Sequence, residues 1–149
     1  MTAGDLTWPV PDGGWPAWVR DVPYDAARHP LAQTGPIERG ANCQRYAYAV
    51  VGLFGLEVPP LRSSDLWERG PQVAADELEP LDLVLVNGSA EAYGAHVGVV
   101  LGPDAVLHLC AEVGRPAVWG WADLAARERY AVVLGGVRPA GVSPPPDGA

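Results

Sequence analysis

The chain has 149 residues, 48% hydrophobic and 19% charged, which is enough for one compact domain with a real core and too short for two. A formal net charge of −8 with no basic run argues against nucleic acid and against an anionic membrane as partners. No apolar run approaches the ~20 residues that span a bilayer, no basic and apolar leader pattern follows Met1, and two cysteines make no disulfide framework. A reduced, cytoplasmic setting is the expectation, and oligomeric state is not legible.

Residues 1–39 form a Pro/Trp-rich arm expected to pack on the domain. It holds Trp8, Trp15, Trp18, Tyr24 and six prolines, and aromatics in that number are seldom left in water. Short helical turns are expected near Pro16–Arg20 and near Tyr24–His29. The arm either only covers core or also walls a cleft.

From Cys43, the residues Ala47, Val50, Val51 and Phe54 recur at the spacing of an amphipathic helix. Asn42 stands in a good N-cap position and Gly55 in a good stop position. Cys43 therefore falls in the first turn, where unpaired N–H groups and the positive end of the helix dipole favour a thiolate. Pro59-Pro60 then forces an extended segment, and Ser63–Gly70 reads as a capped turn or two of helix.

The pattern changes to strands after that. Leu81–Val86, Ala95–Leu101 and Ala105–Ala111 alternate, with Gly102-Pro103-Asp104 as a hairpin link between the last two. Pro116–Trp121 is a weaker fourth strand, Trp121–Arg129 is helical by propensity, and Tyr130–Arg138 closes the set. Residues 140–149 read as a disordered tail. A helix followed by an antiparallel meander of about five strands is an α+β arrangement.

On that reading His96 shares a face with Gly98 and Val100, and His108 shares one with Val106 and Cys110. A hairpin brings the two histidines together, where they can meet a cysteine at a helix N-terminus. Such a set fits acyl chemistry: Cys43 as nucleophile, His96 as base and acid, His108 as orienter, and backbone N–H groups at the helix start for the oxyanion. Singly, a cysteine on a helix or a histidine in a strand is more often a structural residue. Arg39, Arg45, Arg62 and Arg115 are candidates to hold a substrate carboxylate, Arg45 lying nearest the nucleophile in sequence. A zinc site from Cys43, Cys110, His96, His108 and His29 has the ligand types without the usual spacings, so no metal is expected. Cys110 is either a packed thiol or a redox partner of Cys43.

Asn42-Cys43 opening a helix, Leu78–Val84, Ala95-His96-Val97-Gly98-Val99-Val100-Leu101-Gly102 and Val106-Leu107-His108 together resemble the NlpC-type papain-like cysteine peptidases. The resemblance runs from about Gly40 to Arg138 and marks residues 40–139 as the catalytic domain. It implies a papain-like fold, with the cysteine helix packed on an antiparallel sheet. It further implies cell-wall amidase or endopeptidase activity, a third catalytic histidine twelve residues after the first, as His108 follows His96, and no organic cofactor. Asn42 stands where the family has Asp, and Gln44-Arg45 where it has Ser-Gly. The family's Tyr-x-Trp-Gly-Gly stretch is missing; Tyr24 or Tyr46 are the candidates to replace its tyrosine at the substrate. The expected substrate is a peptidoglycan-type peptide or a small amide. Two alternatives stay open. The Asn-Cys motif is similar to that of the lecithin:retinol acyltransferase-like enzymes, in which the histidines precede the cysteine, and acyl transfer to an amine uses the same thioester. A non-catalytic binding module on this fold is the other.

Overall fold

The computed structural model describes residues 9–32 and 35–142. Trp8 and the tail beyond Val142 lie outside the described residues. Helix α2 (Cys43–Gly52) is defined by its two ends. Asn42 is extended and its side-chain oxygen accepts the Arg45 N–H at 2.9 Å, satisfying one orphan donor of the first turn. At the other end Gly55, at φ 80°, lets its own N–H reach Gly52 O and the Leu56 N–H reach Val51 O. That pair of bonds is a Schellman stop. Regular helix therefore ends at Gly52, and the apolar stripe runs on to Phe54 only as a turn.

The molecule is α+β with one six-stranded antiparallel sheet: β1 (Gln72–Val73), β2 (Leu83–Asn87), β3 (His96–Gly102), β4 (Ala105–Leu109), β5 (Pro116–Trp119) and β6 (Val132–Val137). The sixth strand beyond the expected five is β1, two residues too short to carry a periodic signal. Strands β2 to β5 are a meander, but β6 crosses back and inserts between β1 and β2. Strand β2 begins two residues later than its sequence pattern: Leu81, at φ 75°, departs from extended backbone, although its N–H still reaches Val100 O of the neighbouring strand at 2.7 Å. Beside it Asp82, 2% exposed, accepts both Arg138 Nε and Nη2 at 2.9 Å and the Glu79 N–H at 2.8 Å. A bidentate, charge-assisted pair thus ties the start of β2 to the residue after β6.

Three local expectations are corrected. Helix α3 (Ser63–Arg69) has Arg62 at its N-cap with no side-chain cap bond, so Ser63 lies inside the helix. Helix α4 (Trp121–Ala125) stops early because Arg127 turns extended, and a 3-10 turn follows at Glu128–Tyr130. The Tyr24–His29 segment is a single turn built on Asp25, whose carboxylate accepts the Ala27 N–H, and is not helical.

Pleating gives the sheet two faces. One, with Leu83, Leu85, Val97, Val99, Leu107 and Leu109, packs on Ala47, Val50 and Val51 of α2. The other, with Val84, Val86, Val100, Val106 and Trp119, is covered by Leu124 and Tyr130 from the β5–β6 crossover. No helix among the described residues is long and apolar enough to cross a membrane.

The arm lies along the first core. Helix α1 (Trp18–Asp21) buries Val19, and Trp15, Trp18 and Tyr24 pack against the same cluster. Backbone bonds zip residues 23–28 to residues 40–42: Ala41 N–H to Pro23 O, Asp25 N–H to Ala41 O, and Asn42 N–H to Arg28 O. Tyr46, fully buried on α2, donates its hydroxyl to Val19 O at 2.6 Å. Tyr46→Phe strands that carbonyl in the core and is expected to lower stability by about 1–2 kcal/mol, read as a shift of the urea midpoint at unchanged m. An unchanged midpoint would mean that the arm is not held through this bond.

Candidate active site

Register places the histidines. Val100 pairs with Val106 across β3 and β4, so His96 and His108, each an even number of residues away, fall diagonally on one face. Gly98 makes the room: a Cβ there would lie 2.6 Å from Val106 Cγ1 and 3.3 Å from His108 Cβ. His96 Nε2 and His108 Nδ1 are 2.8 Å apart, with ring planes at 81°. Tyr130 lies over His96 at 4.6 Å between centroids, and Trp119 meets His108 edge-on at 4.3 Å. Arg127 then covers Trp119, its guanidinium 3.8 Å from the ring centroid and paired with Glu112. Burial drives the His96 pKa well down, with His108 and Arg129 adding to it. Burial, helped by Arg127, holds His108 down to about 4. Both rings are neutral at neutral pH.

Cys43, half-buried, and His96 line one cavity of about 250 Å³. His96 opens β3, so its ring reaches the cavity from the end of the sheet even though α2 lies on the opposite face. The Cys43 sulfur faces the backbone N–H groups of Val97, Gln44 and Cys43 itself, which draw its pKa down, as does the Arg62 guanidinium. Burial outweighs them and pushes the thiol up. The helix terminus alone therefore does not deliver the thiolate that the sequence led us to expect.

His108 is fully buried behind His96 and does not line the cavity. Tyr24 does line it, carried there by the arm, and burial raises its pKa. Tyr46 and Arg45 stand elsewhere. Tyr46 anchors the arm, and Arg45 Nη2 donates to Gly35 O at 2.6 Å. Of the four arginines singled out for a carboxylate, only Arg62 lines the cavity. Cys110 lines it too, while His29 lies in the arm with its Nδ1 accepting the Leu31 N–H. No group of three His, Cys, Asp or Glu side chains among the described residues is placed to hold a metal ion. Sequence reasoning missed Gln44, Asn87, Arg129 and Tyr130 as cavity walls. The extended turn at Arg127 brings Arg129 and Tyr130 there, and no helical pattern signals it.

The neutral histidines have a consequence for stability. A ring whose folded pKa lies below its ordinary 6.5 is protonated first in the unfolded chain. Its stabilisation is complete above pH 6.5 and is lost as pH falls toward about 4. For His108 the loss is about 3 kcal/mol, with His96 acting in the same direction. Urea unfolding between pH 7.5 and 4.5 should show this slope in wild type and a shallower one in His108→Asn. Equal slopes would show that the ring is not held neutral.

No protein-family model matches the sequence, and no curated protein does. Solved structures do match in three dimensions. Peptidoglycan hydrolase RipB from Mycobacterium tuberculosis superposes with a TM-score of 0.56 at 20% identity, over 83% of this chain and 59% of that one. An NLP/P60 family protein similar to lipoprotein, from Staphylococcus aureus subsp. aureus Mu50, gives 0.56 at 17% identity, over 81% and 37%. An NlpC/P60 family protein from Bacillus cereus ATCC 10987 gives 0.54 at 18%, over 68% and 32%. The chain thus corresponds to between about a third and three fifths of the length of these neighbours. With an amphipathic helix leading into an antiparallel sheet, and with a backbone path similar to these structures over 68–83% of its length, the chain has the NlpC/P60-type fold.

Proposed function

We propose that the protein is a cysteine-dependent amide hydrolase working through a thioester on Cys43, with a peptidoglycan-type peptide or a small amide as substrate. The observation that carries this reading is the buried His96–His108 pair at 2.8 Å, whose first member shares a cavity with Cys43. The hydrolase title of one structural neighbour supports the reaction class.

The sequence of events follows from the protonation states. His96, neutral, takes the Cys43 proton as the sulfur attacks the carbonyl carbon. This needs one tautomer: His96 Nε2–H donating to His108 Nδ1, so that His96 Nδ1 keeps its lone pair for the thiol. The oxyanion draws on the helix-start N–H groups of Cys43 and Gln44. Collapse of the tetrahedral adduct breaks the C–N bond, His96 returns the proton to the leaving amine, and a thioester remains. Water, deprotonated by His96, then releases the acid and restores the thiol. Tyr24, on the cavity wall, contacts the substrate.

Two measurements test the proposal. Alkylation of Cys43 by iodoacetamide, followed by mass spectrometry across pH, should slow by about 10²-fold or more in His96→Ala near neutral pH, and by less in His108→Ala. Peptidoglycan-derived peptides digested in H₂¹⁸O should yield an acid carrying one heavy oxygen, a product absent with Cys43→Ala. Slow labelling indifferent to His96, with no acid formed, would overturn the enzyme reading in favour of a binding module. Incorporation of an added amine in place of the heavy oxygen would make the protein a transferase.

A further inference from the structure

The two residues that flank Cys43 both depart from the pattern the chain resembles, and both are buried primary amides. Asn42 is 5% exposed and Gln44 3%, and both line the cavity that Cys43 shares with His96. A buried primary amide presents an acceptor at one end and two donors at the other, so its neighbours decide which end faces where.

Here the decision starts at the backbone. The Arg45 N–H can only donate, and the Asn42 side-chain oxygen accepts it at 2.9 Å. That fixes the Asn42 oxygen toward the helix and turns its NH₂ group to Gln44, whose oxygen accepts it at 3.4 Å. The opposite setting of Gln44 would bring two NH₂ groups face to face. Gln44 Nε2 is therefore the end that Asn42 does not hold. It has no hydrogen-bond partner among the described residues, yet it is not one of the sealed polar atoms left without one, which are Trp15 Nε1, Arg45 Nε and His108 Nε2. An unpartnered nitrogen that is not sealed is reached by solvent, and the space on which Gln44 opens is the cavity.

We propose that Gln44 is a further catalytic residue whose side-chain amide donates a hydrogen bond to the carbonyl oxygen under attack, with Asn42 the positioning residue that keeps the donor end in the cavity. The inference rests on the thioester reading for Cys43 and adds a side-chain donor to the backbone N–H groups of the helix start. Those N–H groups already face the Cys43 sulfur, whereas the Gln44 amide has no partner to lose as charge develops on the oxygen. The two flanking residues act as a unit. An aspartate at position 42 could still cap the helix, but with acceptors only it would draw the Gln44 NH₂ to itself and leave an oxygen facing the cavity.

The test compares two reactions of one sulfur. With p-nitrophenyl acetate the thiolate attacks the ester carbon, the C–O bond breaks, p-nitrophenolate leaves and an acetyl thioester remains on Cys43, by way of a tetrahedral oxyanion. Iodoacetamide is attacked at its CH₂ carbon, iodide leaves, and no oxyanion forms. Both reactions draw on the same thiolate, so the ratio of acylation to alkylation rates cancels any change in its pKa. That ratio should fall about tenfold or more in Gln44→Leu, in Gln44→Glu and in Asn42→Asp. In a Gln44→Leu background, Asn42→Asp should lower it no further, because Asn42 acts through the amide. A ratio unchanged in Gln44→Leu, or an Asn42→Asp effect that survives in full in that background, would overturn the proposal. If wild-type Cys43 is not acylated, the catalytic reading fails, and NMR decides the amide alone. The Gln44 Nε2–H signals should shift saturably with N-methylacetamide, a neutral carbonyl acceptor, in wild type and stay fixed in Asn42→Asp. Signals fixed in wild type, or shifting equally in the variant, would overturn it.

Discussion

Two buried imidazole rings 2.8 Å apart cannot both be charged, and the nitrogens that face each other, His96 Nε2 and His108 Nδ1, cannot both carry a proton. This constraint governs the second face of the sheet. Gly98 leaves room for Val106 and the Cβ of His108, Tyr130 and Trp119 pack against the two rings, and Arg127, paired with Glu112, lies over Trp119 and lowers the His108 pKa against the opposing pull of Glu112. Each of these residues would be unremarkable alone. Together they keep the His96 ring in a fixed orientation on a cavity it shares with a thiol that burial disfavours from ionising. Burial thus biases both the Cys43 thiol and the His96 ring toward their neutral forms.

Much of this was legible before the structure. Asn42 and Gly55 announced the ends of α2, and the two-residue period of β3 and β4 put His96 and His108 on one face. What was not legible came from tertiary pulls on short segments. Leu81 looks like a strand residue and adopts a left-handed backbone next to the Asp82–Arg138 clamp. Ala126 to Arg129 has helix propensity throughout, yet Arg127 breaks the helix to reach Glu112 and Trp119, and so delivers Arg129 and Tyr130 to the cavity. Tyr46 and Arg45 sit close to Cys43 in sequence, but the helical repeat turns both away from the cavity, one into the core and the other toward the arm. The thiol was misread for a related reason: proximity to a helix N-terminus is a local feature, whereas burial is set by the whole fold.

The arm shares in the site as well as in the core. Its bonds to residues 40–42 end one residue before Cys43, and Tyr24 comes from the same paired stretch. Packing of Trp15 and Trp18 therefore holds the backbone that carries Cys43, and core and cleft are the same contacts seen from two sides.

The position of β6 bears on how the chain is made. Strands β2 to β5 are consecutive and can pair as they leave the ribosome, but β6 belongs between β1 and β2 and is synthesised last. Until Val132–Val137 arrive, the nascent sheet presents β2, the apolar run Leu83–Val86, as an open edge, and open apolar edges recruit other chains. The cavity is incomplete over the same interval, since Arg129 and Tyr130 enter with the crossover just ahead of β6. A chain stalled or clipped before Val132 would thus keep an open apolar edge beside an unfinished cavity, which makes the closing strand the natural checkpoint between a folded molecule and an aggregate.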